Sequence, residues 1–224
     1  MNRTALSFYL VAAFFLMSSL YVGSRELSLI QFSQASKAHQ FEILANDGPD
    51  SGFSTLADRI VLDACRDALR AIFGRLQPSA LRAKVAKNCY AISDRISRAQ
   101  PAASYAYFIS ALAQFEMKDF QSFNKNYISS QKTGANEMWL ARFRFALGKR
   151  GVSHMSFATQ SSYDADIFVL VQSQRGLHLI AEYYVQTPDL REGIAILVEK
   201  LPEADQRRFL SAVNAELRAL KGRS

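Results

Sequence analysis

The sequence predicts an all-α protein in which an N-terminal transmembrane helix is followed by antiparallel helical hairpins. Three observations support this fold class. Residues 4–24 contain no charged side chain, apolar side chains recur at helical spacings of three and four along most of the remaining chain, and glycine and proline number only ten and five. With 49% hydrophobic and 21% charged residues in 224, the composition is globular and the chain is long enough for a core.

The uncharged stretch is as long as a membrane span. A helix needs roughly 20 apolar residues to cross a bilayer core of about 30 Å. A secretory signal has a shorter apolar region and a small-residue cleavage site, for which Val22-Gly23-Ser24 is the candidate. The apolar residues surround the helix, whereas a core helix would be apolar on one face. We interpret residues 1–25 as an uncleaved signal anchor, with a cleaved signal and a core helix as the alternatives.

The orientation of this anchor follows from the flanking positive charges. Arg3 and the amino terminus lie at one end, and Arg25 and Lys37 lie at the other, so the charges nearly balance. The short N-terminal tail favours an N-terminus inside the cell. We therefore expect a single-pass protein of the inner (cytoplasmic) membrane with the bulk of the chain in the periplasm. The alternative is the reversed topology, with the chain facing the cytoplasm.

Residues 26–53 are predicted to form a juxtamembrane helix over 26–45 and a linker over 46–53 that is rich in turn-forming residues. Apolar stripes then predict helices over 54–75 and 78–99, which a short turn joins into an antiparallel hairpin. The same pattern predicts a third helix from Pro101 to the break at Lys118-Asp119, a fourth over 120–132 and a fifth that starts at Asn136.

Residues 151–224 are expected to form a C-terminal helical segment packed on these hairpins. Polar residues 149–162 predict a loop. The stripe over 164–185 predicts one long helix, although part of it also has strand propensity. Two more helices are predicted to start at Thr187-Pro188-Asp189 and at Leu201-Pro202-Glu203, where proline precedes or joins a first-turn acid.

Residues 101–134 resemble one unit of the tetratricopeptide repeat, with which they share a length of 34 residues. Aligned on the turn at 118–120, the aromatic and small positions of that pattern are occupied by Tyr107, Ala111, Tyr127 and Ser130. The departures are Ser110, Gln114 and Phe123, and no proline closes the unit. The resemblance implies tetratricopeptide-like packing of residues 54–150 and a role in binding other proteins. It transfers no active site.

Cys65 and Cys89 each lie on the apolar stripe of one of two consecutive predicted helices. Both are a similar number of residues from the intervening turn, so an antiparallel hairpin places them at one height on facing sides. We predict a disulfide, which would persist outside the cytoplasm. It would stabilise the fold by about 3 kcal/mol. The alternative is two buried free thiols.

The positive charge is concentrated in the middle of the chain. The net charge is +7, and residues 54–150 carry sixteen basic and seven acidic side chains. Such a section suits anionic lipid headgroups, an acidic polysaccharide or an acidic protein face; nucleic acid fits the charge but not the expected compartment. One side of the helix predicted over 78–99 carries several cations and has only one acidic residue nearby, Asp94. These cations are the predicted partner-binding residues Lys84, Lys87, Arg95 and Arg98.

The preceding helix, predicted over 54–75, also carries arginines, but they are predicted to be neutralised within that helix. Arg59, Arg66 and Arg70 alternate with Asp63 and Asp67 at helical spacing. This pattern predicts a self-paired, solvated face of little energetic value. The aromatic residues over 105–145 are at core spacing, although they could also stack on a sugar or a peptide.

No catalytic motif is recognisable in the sequence. The three histidines, His39, His154 and His178, lack zinc-ligand spacing, so we predict no metal and no cofactor. The candidates for a general acid acting on a glycan are Glu116 and Glu182, which aromatic residues flank.

Together these features predict a non-enzymatic, membrane-anchored scaffold or adaptor that binds another cell-envelope component, such as a polysaccharide or a secretion assembly. The alternatives are an envelope enzyme acting on a glycan and an adaptor of reversed topology.

Overall fold

Helices joined by short turns and loops form the part of the protein that the structure describes. This structure is a computed structural model, which describes residues 3–49 and 52–222, residues 3–9 by their backbone alone. The all-α class is confirmed, as is one apolar helix at the N-terminus. The helices are α1 (Arg3–Gln34), α2 (Lys37–Ala45), α3 (Thr55–Arg70), α4 (Ile72–Arg75), α5 (Ser79–Ala99), α6 (Ser104–Glu116), α7 (Phe120–Thr133), α8 (Met138–Gly151), α9 (Phe157–Gln172), α10 (Gln174–Gln186), α11 (Pro188–Val198) and α12 (Glu203–Lys221), with a 3-10 turn at Val152–His154.

The N-terminal helix is longer than the predicted anchor. α1 continues without a break beyond Arg25, and its apolar part is long enough to cross a membrane. The predicted helix over 26–45 is wrong as a single element, because it is divided between α1 and α2. The division falls at Ser36, whose hydroxyl accepts a hydrogen bond from the His39 backbone at 3.2 Å and caps α2.

The helix predicted over 54–75 ends earlier than its apolar stripe. Ser54 caps α3 by accepting from the Ala57 backbone at 3.0 Å. Ala71 then adopts an extended backbone and starts the short α4. Gly74 lies against the Ala68 carbonyl, where a Cβ atom would overlap the oxygen. The chain can fold back tightly there only because this residue is glycine.

The prediction was least accurate between residues 149 and 185. Most of the predicted loop over 149–162 is helical, since α8 continues to Gly151 and α9 begins at Phe157. The single helix predicted over 164–185 is instead two helices that meet at Ser173. The Ser173 hydroxyl accepts from the Gly176 backbone at 3.0 Å and caps α10. Serine side chains compete for backbone hydrogen bonds in this way, which ends one helix and starts the next.

One cluster of buried apolar side chains runs from Leu29 in α1 to Val213 in α12. Consecutive helices pack on each other, most extensively α5 on α6 and α6 on α7. α6 is buried on nearly all sides, and the predicted break after it is present at Lys118, which has a φ of 61°. The centre of the core is aromatic, with Phe108, Phe123 and Phe145 almost fully buried.

A fully buried ion pair joins α7, α8 and α9. The Arg144 guanidinium of α8 donates to both carboxylate oxygens of Asp166 in α9, at 2.6, 2.9 and 3.1 Å. It also donates to the carbonyl oxygens of Ser130 and Gly134, both at 3.1 Å, while Tyr127 donates to Asp166 at 3.2 Å. Burial raises the pKa of the Asp166 carboxyl, and the hydrogen bonds from Arg144 and Tyr127 oppose that rise. These contacts fix three helices relative to one another.

The two cysteines are brought together as predicted. Cys65 of α3 and Cys89 of α5 are both fully buried, and their Cα atoms lie 5.6 Å apart in a disulfide arrangement. A disulfide spans Cα distances of roughly 4.4–6.8 Å. The pair therefore connects α5 to the helix that carries the arginines described next.

Candidate functional site

Side chains from α3, α6, α8 and α10 meet on one surface, which we call the basic groove. Along the chain, α4 and α5 separate α3 from α6, α7 separates α6 from α8, and α9 separates α8 from α10. Contacts between rings and cations connect the four helices. The groove consists of Arg59, Arg66 and Arg70 from α3, Tyr105 from α6, Trp139, Arg142, Phe143 and Lys149 from α8, and Tyr183 from α10.

At one end of the groove, a guanidinium lies between two aromatic rings. The Arg59 carbon Cζ is 4.5 Å from the centre of the Tyr105 ring and 4.3 Å from that of Trp139. Arg59 also pairs with Asp63 at 3.1 Å, and Tyr105 donates to the same carboxylate at 2.7 Å. A cation at these distances is attracted electrostatically to the aromatic ring. The predicted pairing of Arg59 with Asp63 is present. The predicted solvated face is not, because Arg59 packs on the rings of Tyr105 and Trp139.

Tyr105, at this end of the groove, is expected to make the protein less stable at alkaline pH. Burial raises the pKa of the Tyr105 hydroxyl, and its hydrogen bond to Asp63 raises it further. Burial likewise raises the pKa of Tyr127 and Tyr163. Unfolded tyrosines ionise near pH 10, so above about pH 10 the folded state holds more protons than the unfolded state. Stability should therefore be unaffected by these groups at neutral pH and should fall as the pH rises through this range.

Thermal unfolding followed from about pH 8 to about pH 11 tests this dependence. We expect the melting temperature to fall above about pH 10, and we expect the Tyr105→Phe variant to show a shallower fall. The comparison between variant and wild type near neutral pH is the control, since it isolates the loss of the hydrogen bond to Asp63. Equal alkaline slopes for both proteins would contradict the prediction.

In the middle of the groove, Arg66 also contacts an aromatic ring and pairs with aspartates. Its Cζ atom lies 5.1 Å from the centre of the Phe143 ring. It pairs with Asp63 at 2.9 Å and with Asp67 at 2.8 Å, and Lys37 pairs with Asp67 at 2.8 Å. The two aspartates therefore already pair with cations of α2 and α3 and are not free to neutralise the rest of the groove.

The other end of the groove carries more positive than negative charge. Among the described residues, Arg70 makes no hydrogen bond or ion pair. Burial lowers its pKa, and the neighbouring Arg150 lowers it further. Lys149 lies 4.1 Å from the centre of the Tyr183 ring. Arg150 pairs with Glu116 at 2.6 Å, which leaves one carboxylate among three cations.

A cavity of about 320 Å³ opens between α8 and α10 along the groove. Its walls are largely aromatic, and Arg142 is the exposed cation at its edge. The cavity is lined by Trp139, Arg142, Phe143, Phe145, Ala146, Leu179 and Tyr183. Its volume accommodates one or two large apolar side chains, and charged groups lie at either end.

The predicted partner-binding residues lie elsewhere, on α5. Lys84, Lys87, Arg95 and Arg98 are all solvent-exposed and share one side of that helix. Arg98 pairs with Asp94 at 2.9 Å. The structure thus places the four cations on one exposed face, separate from the basic groove.

The residues considered for chemistry are dispersed. Glu116 is engaged by Arg150, and Glu182 is exposed and accepts from Gln186 at 3.3 Å. Within the described ranges, no group of three or more His, Cys, Asp or Glu side chains could hold a metal ion. The three histidines have different surroundings. His39 lies 3.6 Å from Glu42, His154 stacks on Phe120, and His178 is exposed.

One feature of the sequence indicates the groove: α8 has apolar side chains on two faces. Helical periodicity alone does not show which face belongs to the core. α8 has one buried stripe, which includes Leu140 and Leu147, and a second face with Trp139 and Phe143 four residues apart. A helix with two apolar faces contacts something on both sides. Arg144 falls on the buried stripe of the same helix, where an arginine requires a buried partner.

Compared with known proteins, the chain matches no family model, no curated protein and no solved structure.

Proposed function

We propose that this protein is a non-enzymatic, membrane-anchored adaptor of the cell envelope whose basic groove binds an acidic peptide segment of a partner protein. The observation that carries the proposal is the excess of positive charge around Arg70, Lys149 and Arg150 beside an aromatic cavity. A carboxylate that enters there gains charge-assisted hydrogen bonds. An apolar side chain next to it would fill the cavity. Helical hairpins stacked as in tetratricopeptide repeats would present such a groove on alternate helices.

A peptide fits this surface better than a polysaccharide does. Sugar rings stack on free aromatic faces, but Arg59 already covers a face of Tyr105 and of Trp139. The Trp139 and Phe143 rings also pack edge to face at 6.0 Å, with planes 86° apart. The groove therefore offers cations and a pocket rather than a flat stacking platform. We keep the polysaccharide as an outcome of the experiment below.

Membrane attachment through residues 4–24 is the second part of the proposal. α1 rises about 33 Å between Arg3 and Arg25, which matches the thickness of a bilayer core. The disulfide arrangement of Cys65 and Cys89 fits an oxidising compartment such as the periplasm. We place the protein in the inner membrane with the groove on the periplasmic side.

The single tryptophan is a natural reporter for the groove, because Trp139 lies in its wall. Peptides rich in Asp and Glu around one Leu or Phe are titrated into the detergent-solubilised protein while its fluorescence is followed. We expect saturable changes in emission. Analogues with Asn and Gln in place of the acids should bind at least about tenfold more weakly, because hydrogen bonds to charged groups contribute roughly 1.5–3 kcal/mol.

Two charge reversals form a matched pair for this experiment. Arg142→Glu changes an exposed cation at the cavity, and Lys87→Glu changes an exposed cation on α5. We expect Arg142→Glu to weaken peptide binding about tenfold and Lys87→Glu to leave it unchanged. The proposal fails if no acidic peptide changes the emission. Binding of an anionic polysaccharide that is lost in Lys87→Glu would instead favour the α5 face and a polysaccharide partner.

A further inference from the structure

The part of α1 that can lie in lipid ends before Glu26. The Glu26 carboxylate accepts hydrogen bonds from the backbone of Phe53 at 2.7 Å and of Ser54 at 3.0 Å, and from the Ser54 hydroxyl at 2.7 Å. Further along the helix, Leu29 and Phe32 are buried in the common core. One face of α1 from residue 26 onward is therefore packed against the domain. This contact places the bilayer surface near Arg25.

Outside α1, two large apolar side chains are exposed near this level. Phe53 is 64% exposed and Leu56 is 62% exposed. The Phe53 ring lies 6.1 Å from that of Tyr21 in α1 and meets it edge to face. Glu26 holds the backbone at Phe53, so this position next to the apolar helix is fixed rather than adopted by a free loop.

The same end of the domain also presents basic side chains. α3 and α5 run in opposite directions, because Cys65 faces Cys89 and Asp58 accepts from Gln100 at 2.7 Å. The C-terminal end of α5 is therefore beside the start of α3, where Leu56 lies. Arg98 is exposed at that end of α5. Exposed apolar groups flanked by arginine are typical of a surface that contacts the lipid headgroup region.

We propose that Phe53 and Leu56 insert into the bilayer interface and form a second membrane contact, which holds the domain at a fixed orientation on the membrane. The occupant of this apolar surface is lipid, because the surface is continuous with the apolar helix through Tyr21. Aromatic side chains are enriched at this depth of a bilayer. The inference rests on the membrane anchor of the proposed function, and it is independent of what the basic groove binds.

Tryptophan placed at single positions tests the contact. In a Trp139→Phe background, which has no other tryptophan, the full chain is reconstituted in vesicles of zwitterionic and anionic lipid, with and without bromine on the acyl chains. The test variant is Phe53→Trp. The positive control is Tyr21→Trp in the anchor. The negative control is Leu76→Trp. Leu76 is 78% exposed and directly follows α4, which comes after the far end of α3, a helix about 24 Å long.

We expect brominated lipid to quench the tryptophan at 53 nearly as much as the one at 21, and at least about twofold more than the one at 76. Stronger quenching by bromine near the headgroups than near the chain ends would support an interfacial depth. Quenching at 21 without quenching at 53 overturns the inference and leaves the anchor intact. Quenching at neither position overturns the anchor as well. A blue shift at 53 that depends on protein concentration but not on bromine would replace lipid with a second copy of the chain.

Discussion

Replacing Asp166 with Asn is expected to lower the free energy of unfolding by about 3–5 kcal/mol, because it leaves the Arg144 charge buried without its counter-ion. Both side chains have no solvent exposure, and Arg144 donates three hydrogen bonds to this carboxylate. An asparagine keeps the shape of the side chain but removes the negative charge. Urea unfolding of the detergent-solubilised protein, followed by circular dichroism, measures the loss.

Two further variants show whether the loss comes from the unpaired charge. Asp164→Asn, on the same helix but partly exposed, should change the free energy of unfolding by less than about 0.5 kcal/mol. Replacing both partners with apolar residues, Arg144→Met with Asp166→Leu, should recover most of the loss, since no charge is then left alone. A loss below about 1 kcal/mol in Asp166→Asn would show that the pair is not isolated from water in solution.

Removing both cysteines, Cys65→Ala with Cys89→Ala, is expected to lower the free energy of unfolding by about 3 kcal/mol. The two residues are 24 apart in sequence, so the crosslink restricts a loop of that size in the unfolded chain. A reductant should lower the stability of the wild type to that of the double variant, and it should not affect the variant itself. An unchanged wild type in reductant would contradict the crosslink.

The same pair reports on the compartment. Both sulfur atoms are buried, so thiols are labelled after denaturation, with and without prior reduction, in extracts of whole cells. Labelling only after reduction is the expected result, and it would support a domain outside the cytoplasm. Labelling of both thiols without reduction would favour the reversed topology. The basic groove would then face cytoplasmic partners.

The buried ion pair also connects stability to the proposed binding. Arg144 lies on α8, the helix that carries Trp139, Arg142 and Phe143 to the groove. Asp166→Asn should therefore alter the emission of Trp139 as well as the stability. A change in Trp139 emission would show that the ion pair positions α8. An unchanged emission would show that the pair contributes only to the local core.

Some errors in the predicted elements have a common physical origin. The apolar stripe over 164–185 continues on both sides of Ser173, so periodicity alone predicts one helix. The break depends on a serine hydroxyl that caps the next helix, and the packing of α9 and α10 on each other stabilises the break. The polar stretch over 149–162 predicts a loop because its helical parts contain few large apolar residues that are buried.

The sequence alone determined the helical class, the apolar N-terminal helix and the pairing of Cys65 with Cys89. The helical class follows from local periodicity, and the apolar helix follows from an uncharged run as long as a membrane span. The cysteine pairing follows from the similar distance of the two positions from one turn. Only the tertiary structure decided that Arg144 and Asp166 form a buried pair, that the arginines of α3 pack on rings of α6 and α8, and that Phe53 lies beside Tyr21. Whether a charge or a ring is buried, paired or exposed depends on side chains distant in sequence, and a single helix does not contain that information.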